Sequence, residues 1–236
     1  MPINHELKTL FVHVPKCGGT TVEKILDMST EENFFTTTKT IHKIYSKLDF
    51  SMFTSEEKKE VEAKNLQHCT IIELEKLLPK NVFIENNYYK FSIVRNPYHR
   101  IVSEYFYMVQ ASTRVNQLRD FPIRFPNVSS FVLSELALPR IQRIRKYDGH
   151  LETQSSFLLD ANSTLTKLNK IYRFESEMES CLELAKSISK MTIEGVHERN
   201  GGYDKTDYSE YFTFEAKELV YQFYKNDFDL FKYSKL

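Results

Sequence analysis

The chain has 236 residues, with 32 Lys+Arg balanced by 32 Asp+Glu, and 41% of its residues are hydrophobic. This length and composition suit one globular domain over residues 1–236 with a sizeable core, and the zero net charge argues against a general nucleic-acid binder. Three cysteines, Cys17, Cys69 and Cys181, show no CxxC spacing, which argues against a disulfide framework and a zinc site and for a reducing, cytoplasmic setting.

In chain order, the Met1–Lys8 segment lacks the apolar stretch of a signal peptide. No run of apolar residues anywhere is long enough for an integral membrane segment. Thr9–Val14 is apolar and rich in β-formers, and it predicts a buried strand. A turn, Pro15-Lys-Cys-Gly-Gly-Thr-Thr21, leads into helical spacing, with Val22, Ile25, Leu26 and Met28 on one face. Thr54-Ser-Glu-Glu57 and Thr70…Glu73 both match a capping box and predict helix starts. Leu74, Leu77 and Leu78 form the buried face of the second helix, and Pro79 helps to stop it. Tyr89–Val94 predicts another strand. It runs into Arg95-Asn-Pro97, where Asn96 suits the N-cap and Pro97 the first helical position. Ile101, Val102, Tyr105, Phe106 and Val109 continue at helical spacing. Residues 111–150 show little periodicity and read as an insertion beside the active site. Ile171–Phe174 predicts a short third strand, and a last helix starts near Thr213. Strands alternating with helices predict an α/β fold with a mainly parallel sheet.

Two segments carry the chemistry. In the first, a glycine-containing turn between a strand and a helix offers backbone N–H groups at the positive end of the helix. Gly18 and Gly19 allow close approach, Lys16 adds a cation, and Thr20 and Thr21 add hydroxyls. The spacing is not that of a Walker A loop, whose Lys follows the glycines. In the second, Arg95 closes a strand, where ligands bind in open α/β sheets, and Ser103 lies about two helical turns on. Arg100 falls between them. Neither segment is specific alone; an ordinary βα turn and a structural arginine are the plain alternatives. Two cationic sites, and no acid at the second strand's end to hold magnesium, favour metal-independent transfer from a nucleotide with two distant phosphates.

His13–Thr21 resembles the 5′-phosphosulfate loop of sulfotransferases that use 3′-phosphoadenosine 5′-phosphosulfate (PAPS). Phe91–Tyr105 resembles their 3′-phosphate motif, in the variant of the carbohydrate sulfotransferase branch with its short bacterial members. His150-Leu-Glu-Thr-Gln154 and the ending Tyr224–Tyr233 are weaker similarities. Cys17 stands where that family often has Thr, and Asn96 where it often has Asp. The resemblance implies a P-loop-like three-layer αβα fold around the sheet. It also implies transfer of a sulfuryl group from PAPS to an acceptor hydroxyl on a carbohydrate or other hydroxylated molecule, with release of PAP and no metal. By motif match, Lys16 stabilises the leaving bridging oxygen. Cys17, Gly18, Gly19, Thr20 and Thr21 line the 5′-phosphate, and Arg95 and Ser103 hold the 3′-phosphate. His68, just before a helix, is the first candidate for general base and His150 the second; a structural role is the alternative for each. His13 reads as a packing residue, with His42 and His99 less supported. Glu23 either faces the site or is solvated. Arg140, Arg143, Arg145 and Lys146 read as a solvated basic face or an attractor of an acidic glycan. Arg173-Phe-Glu175, at a strand end, is a weak candidate for approaching the nucleotide, and Arg199 to Lys205, with Gly201-Gly202, is either a lid over it or a plain surface turn. A P-loop kinase and a non-catalytic PAP-binding module are the rival readings.

Overall fold

The apolar run after Lys8 forms the spine of a four-stranded sheet. The computed structural model describes residues 3–28, 50–63, 66–78, 80–84, 87–190 and 207–236. Strands β1 (Ile3–Asn4), β2 (Thr9–Val12), β3 (Tyr89–Val94) and β4 (Lys170–Arg173) lie in the order β1-β2-β3-β4. β1 is antiparallel to β2; β2–β3 and β3–β4 are parallel. Parallel strands are covered on their faces and so read as continuous apolar runs, and every residue of β2 is buried. Phe11, Phe91 and Tyr172 form a row of ring contacts across the three parallel strands, at 5.1 Å and 6.0 Å between centroids.

The strand before the glycine turn ends at Val12, two residues earlier than its sequence suggests, while Val14 stays fully buried beyond it. β1, at the sheet edge, has no counterpart in the sequence reading. Asn4 explains how it is held: its Oδ1 accepts the Leu7 N–H at 2.9 Å, closing the turn, and its Nδ2 donates to Leu26 O at 2.9 Å.

Helices flank the sheet. α1 (Gly19–Ile25) follows the glycine turn, and Val22, Ile25, Leu26 and Met28 are all fully buried. α2 (Ser55–Glu62) and α3 (Ile71–Leu77) both start with complete capping boxes, on Thr54/Glu57 and Thr70/Glu73. Pro79, read as a helix stop, lies outside the described residues. A short α4 (Asn81–Ile84) precedes β3. α5 (Pro97–Ser112) starts as the sequence predicts, with Asn96 Oδ1 accepting the Tyr98 N–H at 2.9 Å and proline in the first turn.

Residues 111–150 are not an irregular insertion. They contain α6 (Phe121–Arg124), α7 (Val128–Glu135) and α8 (Arg140–Tyr147). Phe121, Phe125, Phe131 and Tyr147 from this region pack with Tyr98 and Tyr105 of α5 in a second apolar core, distinct from the one around the sheet. The chain continues through α9 (Gln154–Leu158) and a long α10 (Phe174–Ser189) that packs on α1. It closes with α11 (Phe214–Phe223), capped by Thr213, and α12 (Lys225–Phe231). The fold is α/β, a mostly parallel sheet flanked by helices in the P-loop-like manner. Among the described residues, no helix is long and apolar enough to cross a membrane.

Candidate active site

α5 organises the site because its first three turns face the C-terminal ends of β2 and β3. Residues three and four apart share a helix face, so His99, Ser103 and Tyr107 form one row and Arg100 and Glu104 another beside it. Arg100 is buried. Its Nε donates to Pro15 O at 3.1 Å, and one terminal nitrogen donates to His150 O at 2.6 Å and Glu152 O at 2.7 Å. One guanidinium thus ties the glycine turn to the segment after α8.

In the turn, Lys16 and Gly18 adopt left-handed backbone conformations, with φ of 67° and 83°. Gly18 is the N-cap of α1, and a Cβ there would also meet the Phe174 ring at 3.0 Å. Gly19 is required for a different reason: a Cβ would come within 2.7 Å of His13 Nε2 and 2.8 Å of Phe11. The Lys16 ammonium sits 3.8 Å from the centre of the Tyr107 ring. Cys17 is fully buried, and its thiol donates to Gln154 Oε1 at 3.4 Å. Burial pushes that thiol's pKa up to about 12, against the smaller opposing pull of Arg100 and Arg95. Cys17 is therefore a neutral hydrogen-bond donor. Thr20 is exposed and Thr21 half-buried at the start of α1.

Arg95 joins the two sequence segments. It is buried, its Nη1 donates to Lys16 O at 3.2 Å, and its guanidinium lies 4.3 Å above the Phe174 ring. Its backbone is held by Gln154, which the sequence reading left without a role. The Gln154 side chain accepts the Arg95 N–H at 2.8 Å and donates to Arg95 O at 2.7 Å. Gln154 is in turn set by Asp227 from the chain's end, whose two oxygens accept the N–H groups of Gln154 and Ser155 at 2.7 and 2.8 Å. Burial raises the Asp227 pKa, and neither Arg100 nor those N–H groups offsets it fully. Ser103 is half-buried on α5, between His99 and Tyr107 on their row. His99 stacks on Tyr208 at 3.7 Å.

The histidines converge. The rings of His13, His68 and His150 form a chain of edge contacts, each neighbouring pair 5.0 Å apart. His150 Nε2 and His68 Nε2 are 3.3 Å apart, and His68 Nε2 lies 3.6 Å from Asp148 Oδ2. His150 Nδ1 donates to Glu104 Oε2 at 2.8 Å. Burial alone would raise the pKa of Glu104, but the charge and hydrogen bond of His150, with Lys16 and Arg100, bring it below the usual carboxylate range. His13 Nδ1 donates to Glu23 Oε1 at 2.7 Å, and Gln67 donates to the other oxygen at 2.6 Å. Glu23 is therefore neither facing the site nor solvated. It is fully buried and holds His13 against Gly19.

Other expected features fall elsewhere. Arg140 pairs with Glu60 and Glu152, Arg143 with Glu152, and Lys146 with Glu135. That basic run is largely an internally neutralised brace; of the four, only the exposed Arg145 has no such pairing among the described residues. Arg173 donates to the carbonyls of Phe231 and Lys232, and Glu175 accepts the Asn96 N–H at 2.8 Å. Their segment reaches the site through Phe174. His42, Arg199, Gly201, Gly202 and Lys205 lie outside the described residues.

The arrangement can hold an anion at the glycine turn, a second anion by Arg95, and a proton at the histidine pair between them and α5. No curated protein and no solved structure gave a significant match. A model of the sulfotransferase family matches residues 1–234. With that match over nearly the whole chain and a fold of the corresponding kind, the protein belongs to the sulfotransferase family and is a transferase.

Proposed function

We propose that the protein transfers a sulfuryl group from PAPS to a hydroxyl of a carbohydrate acceptor, without a metal ion. The observation that carries this reading is the hydrogen bond from Arg95 to the carbonyl of Lys16. It brings the two motifs into direct contact, which supports one nucleotide spanning both, with phosphates on opposite sides of its ribose. The residues fit such a ligand: the turn has the left-handed backbone at Lys16 and Gly18 that turns N–H groups toward an anion.

In this reading the backbone of Cys17, Gly18, Gly19, Thr20 and Thr21 holds the 5′-phosphate, and Arg95 and Ser103 hold the 3′-phosphate. Lys16 leaves the Tyr107 ring to meet the negative charge that grows on the bridging oxygen. His68 Nε2 removes the proton of the acceptor hydroxyl as that oxygen bonds to sulfur and the bond from sulfur to the bridging oxygen breaks. The imidazolium so formed is stabilised by Asp148 and by His150, whose own Nδ1–H is fixed by Glu104. Arg100 positions the turn and His150 without touching the reacting atoms.

Calorimetry with PAP and with ATP/magnesium tests the nucleotide. PAP is expected to bind far more tightly than ATP, and Arg95→Ala and Lys16→Ala to weaken PAP; equal affinity for both nucleotides would overturn the proposal. His68→Ala is expected to keep PAP binding and lose transfer. Full transfer in that variant would move the base to His150.

A further inference from the structure

We propose that His68, Asp148 and His150 form an inhibitory site for zinc or a similar divalent transition-metal ion. One ligand atom of each residue lies within 4.8 Å of the other two. Zinc–nitrogen bonds of about 2.0–2.1 Å in tetrahedral geometry place neighbouring ligand atoms about 3.3–3.4 Å apart. The two imidazole nitrogens stand at 3.3 Å and the His68–Asp148 pair at 3.6 Å, so both pairs that include His68 already stand near the spacing a tetrahedral metal imposes.

The proton positions favour it. The buried Glu104 Oε2 lies 2.8 Å from His150 Nδ1; with Nδ1–H donated to that carboxylate, the Nε2 lone pair is left facing His68, 3.3 Å away. This is the carboxylate–histidine arrangement that orients metal-binding imidazoles. Two imidazole nitrogens and a carboxylate facing one point need a cation there, either a proton or a metal ion. The backbone is set in advance. Asp148 has a left-handed conformation, φ 52°, at the end of α8, and Gly149 follows at φ 77°. That reversal puts residues 148 and 150 on the same side, and Arg100 holds the His150 carbonyl. The Asp148 side chain is 38% exposed, which leaves a way in from solvent. Imidazole donors select zinc, cobalt, nickel or copper over magnesium or calcium. The site uses no cysteine, so the absence of CxxC spacing does not bear on it.

Metal bound to His68 Nε2 occupies the lone pair that would accept the substrate proton. The inhibitory part therefore rests on the function proposed above, while metal binding does not. The test reads the metal directly. Chelator-treated protein titrated with cobalt(II) is expected to develop the visible absorption of tetrahedral cobalt at one equivalent, displaced by zinc. Asp148→Asn, which suits a left-handed position, and His150→Ala are each expected to abolish it, with far-UV circular dichroism unchanged. Glu104→Gln should weaken it roughly tenfold. No tetrahedral spectrum, or one that survives both Asp148→Asn and His150→Ala, would overturn the site. In a transfer assay, zinc is expected to inhibit and a chelator to restore activity. Stoichiometric binding without inhibition would overturn the inhibitory role, and a cobalt spectrum from protein inactive even after chelation would count against the sulfotransfer reading alone.

Discussion

Arg100→Lys separates the positioning of the glycine turn from its chemistry. Arg100 makes three hydrogen bonds to carbonyls from a buried position, one from Nε to Pro15 and two from a terminal nitrogen to His150 and Glu152. Lysine ends in a single nitrogen, near the place of the arginine Cζ, which can turn toward the His150 and Glu152 carbonyls. It cannot also serve Pro15, whose donor Nε lies two bonds from the terminal nitrogen that serves the other two. The variant should therefore lose one charge-assisted hydrogen bond and leave the buried Pro15 carbonyl to the weak Cys17 thiol donor at 3.6 Å, at about 1.5–3 kcal/mol. For a chain of this length, that corresponds to a fall of about 3–12 °C in melting temperature. The released carbonyl belongs to the residue before Lys16, so the turn must be re-ordered when the nucleotide binds. If about 1.4 kcal/mol of that cost falls on binding, PAP affinity drops about tenfold. Differential scanning fluorimetry and calorimetry with PAP read the two effects. Tyr105→Phe is the control. It removes a 3.0 Å hydrogen bond to Phe125 O in the second core, and should cost about 0.5–1.5 kcal/mol with no change in PAP affinity. An Arg100→Lys protein that loses stability yet binds PAP like the parent would refute the coupling between this clamp and the turn.

Gly19→Ala should destabilise by about 1–3 kcal/mol through overpacking, because its methyl lands 2.7 Å from His13 and 2.8 Å from Phe11; Gly19→Ala with His13→Ala and Phe11→Leu should recover part of the loss in chemical denaturation, and no recovery would refute the steric account. Cys17 should resist alkylation by iodoacetamide in the native state, since burial holds its thiol neutral up to about 12; rapid labelling of this residue, mapped by mass spectrometry, would refute it. The same raised value has a pH signature. Unfolded cysteine loses its proton near its ordinary value and the folded one does not, so this contribution is full below about pH 8.5 and fades as pH rises toward 12. Cys17→Ser should show a shallower loss of stability across that window than the parent protein, and identical slopes would rule out the contribution.

What the sequence revealed follows a physical rule: elements with local start signals were legible. The helices begun by Thr54, Thr70, Asn96 and Thr213 each have a side-chain cap that accepts a nearby N–H. α10 and α12 escaped the reading, and neither has a side-chain cap at its N-terminus. α7 and α9 carry weaker signals: α7 has a capping box with Ser130 in the place usually taken by Glu or Gln, and α9, capped by Thr153, is only five residues long. Within the candidate site, Lys16, Cys17, Gly18, Gly19, Thr20, Thr21, Arg95 and Ser103 can be nominated from sequence because the two motifs are contiguous stretches. Gln154, Asp227 and the clamp on Arg100 were not, because each acts across 50 or more residues of chain. The motif resemblance touched Gln154 and Asp227 without saying what they do. His68 and His150 were nominated separately; only the fold brings their Nε2 atoms to 3.3 Å.

The balanced charge of the chain conceals two ways of treating a cation. Away from the glycine turn, Arg140, Arg143 and Lys146 meet glutamates, and each pair cancels its own charge. At the turn, Arg95 and Arg100 donate to carbonyls, and Lys16 rests over an aromatic ring. A carbonyl or a ring fixes the cation's position without cancelling its formal charge. Acids stand close to these cations as well: Glu104 feels the charges of Lys16 and Arg100, and Asp227 that of Arg100. The turn thus gathers Lys16, Arg95 and Arg100 in one place although the chain sums to zero. On the proposed function, one more carboxylate beside them should silence the site without unfolding the protein. Ser103→Asp, on the half-buried row of α5 between His99 and Tyr107, is expected to abolish PAP binding in calorimetry at a melting temperature near that of the parent. Undiminished binding would mean that the potential at this row does not govern the nucleotide.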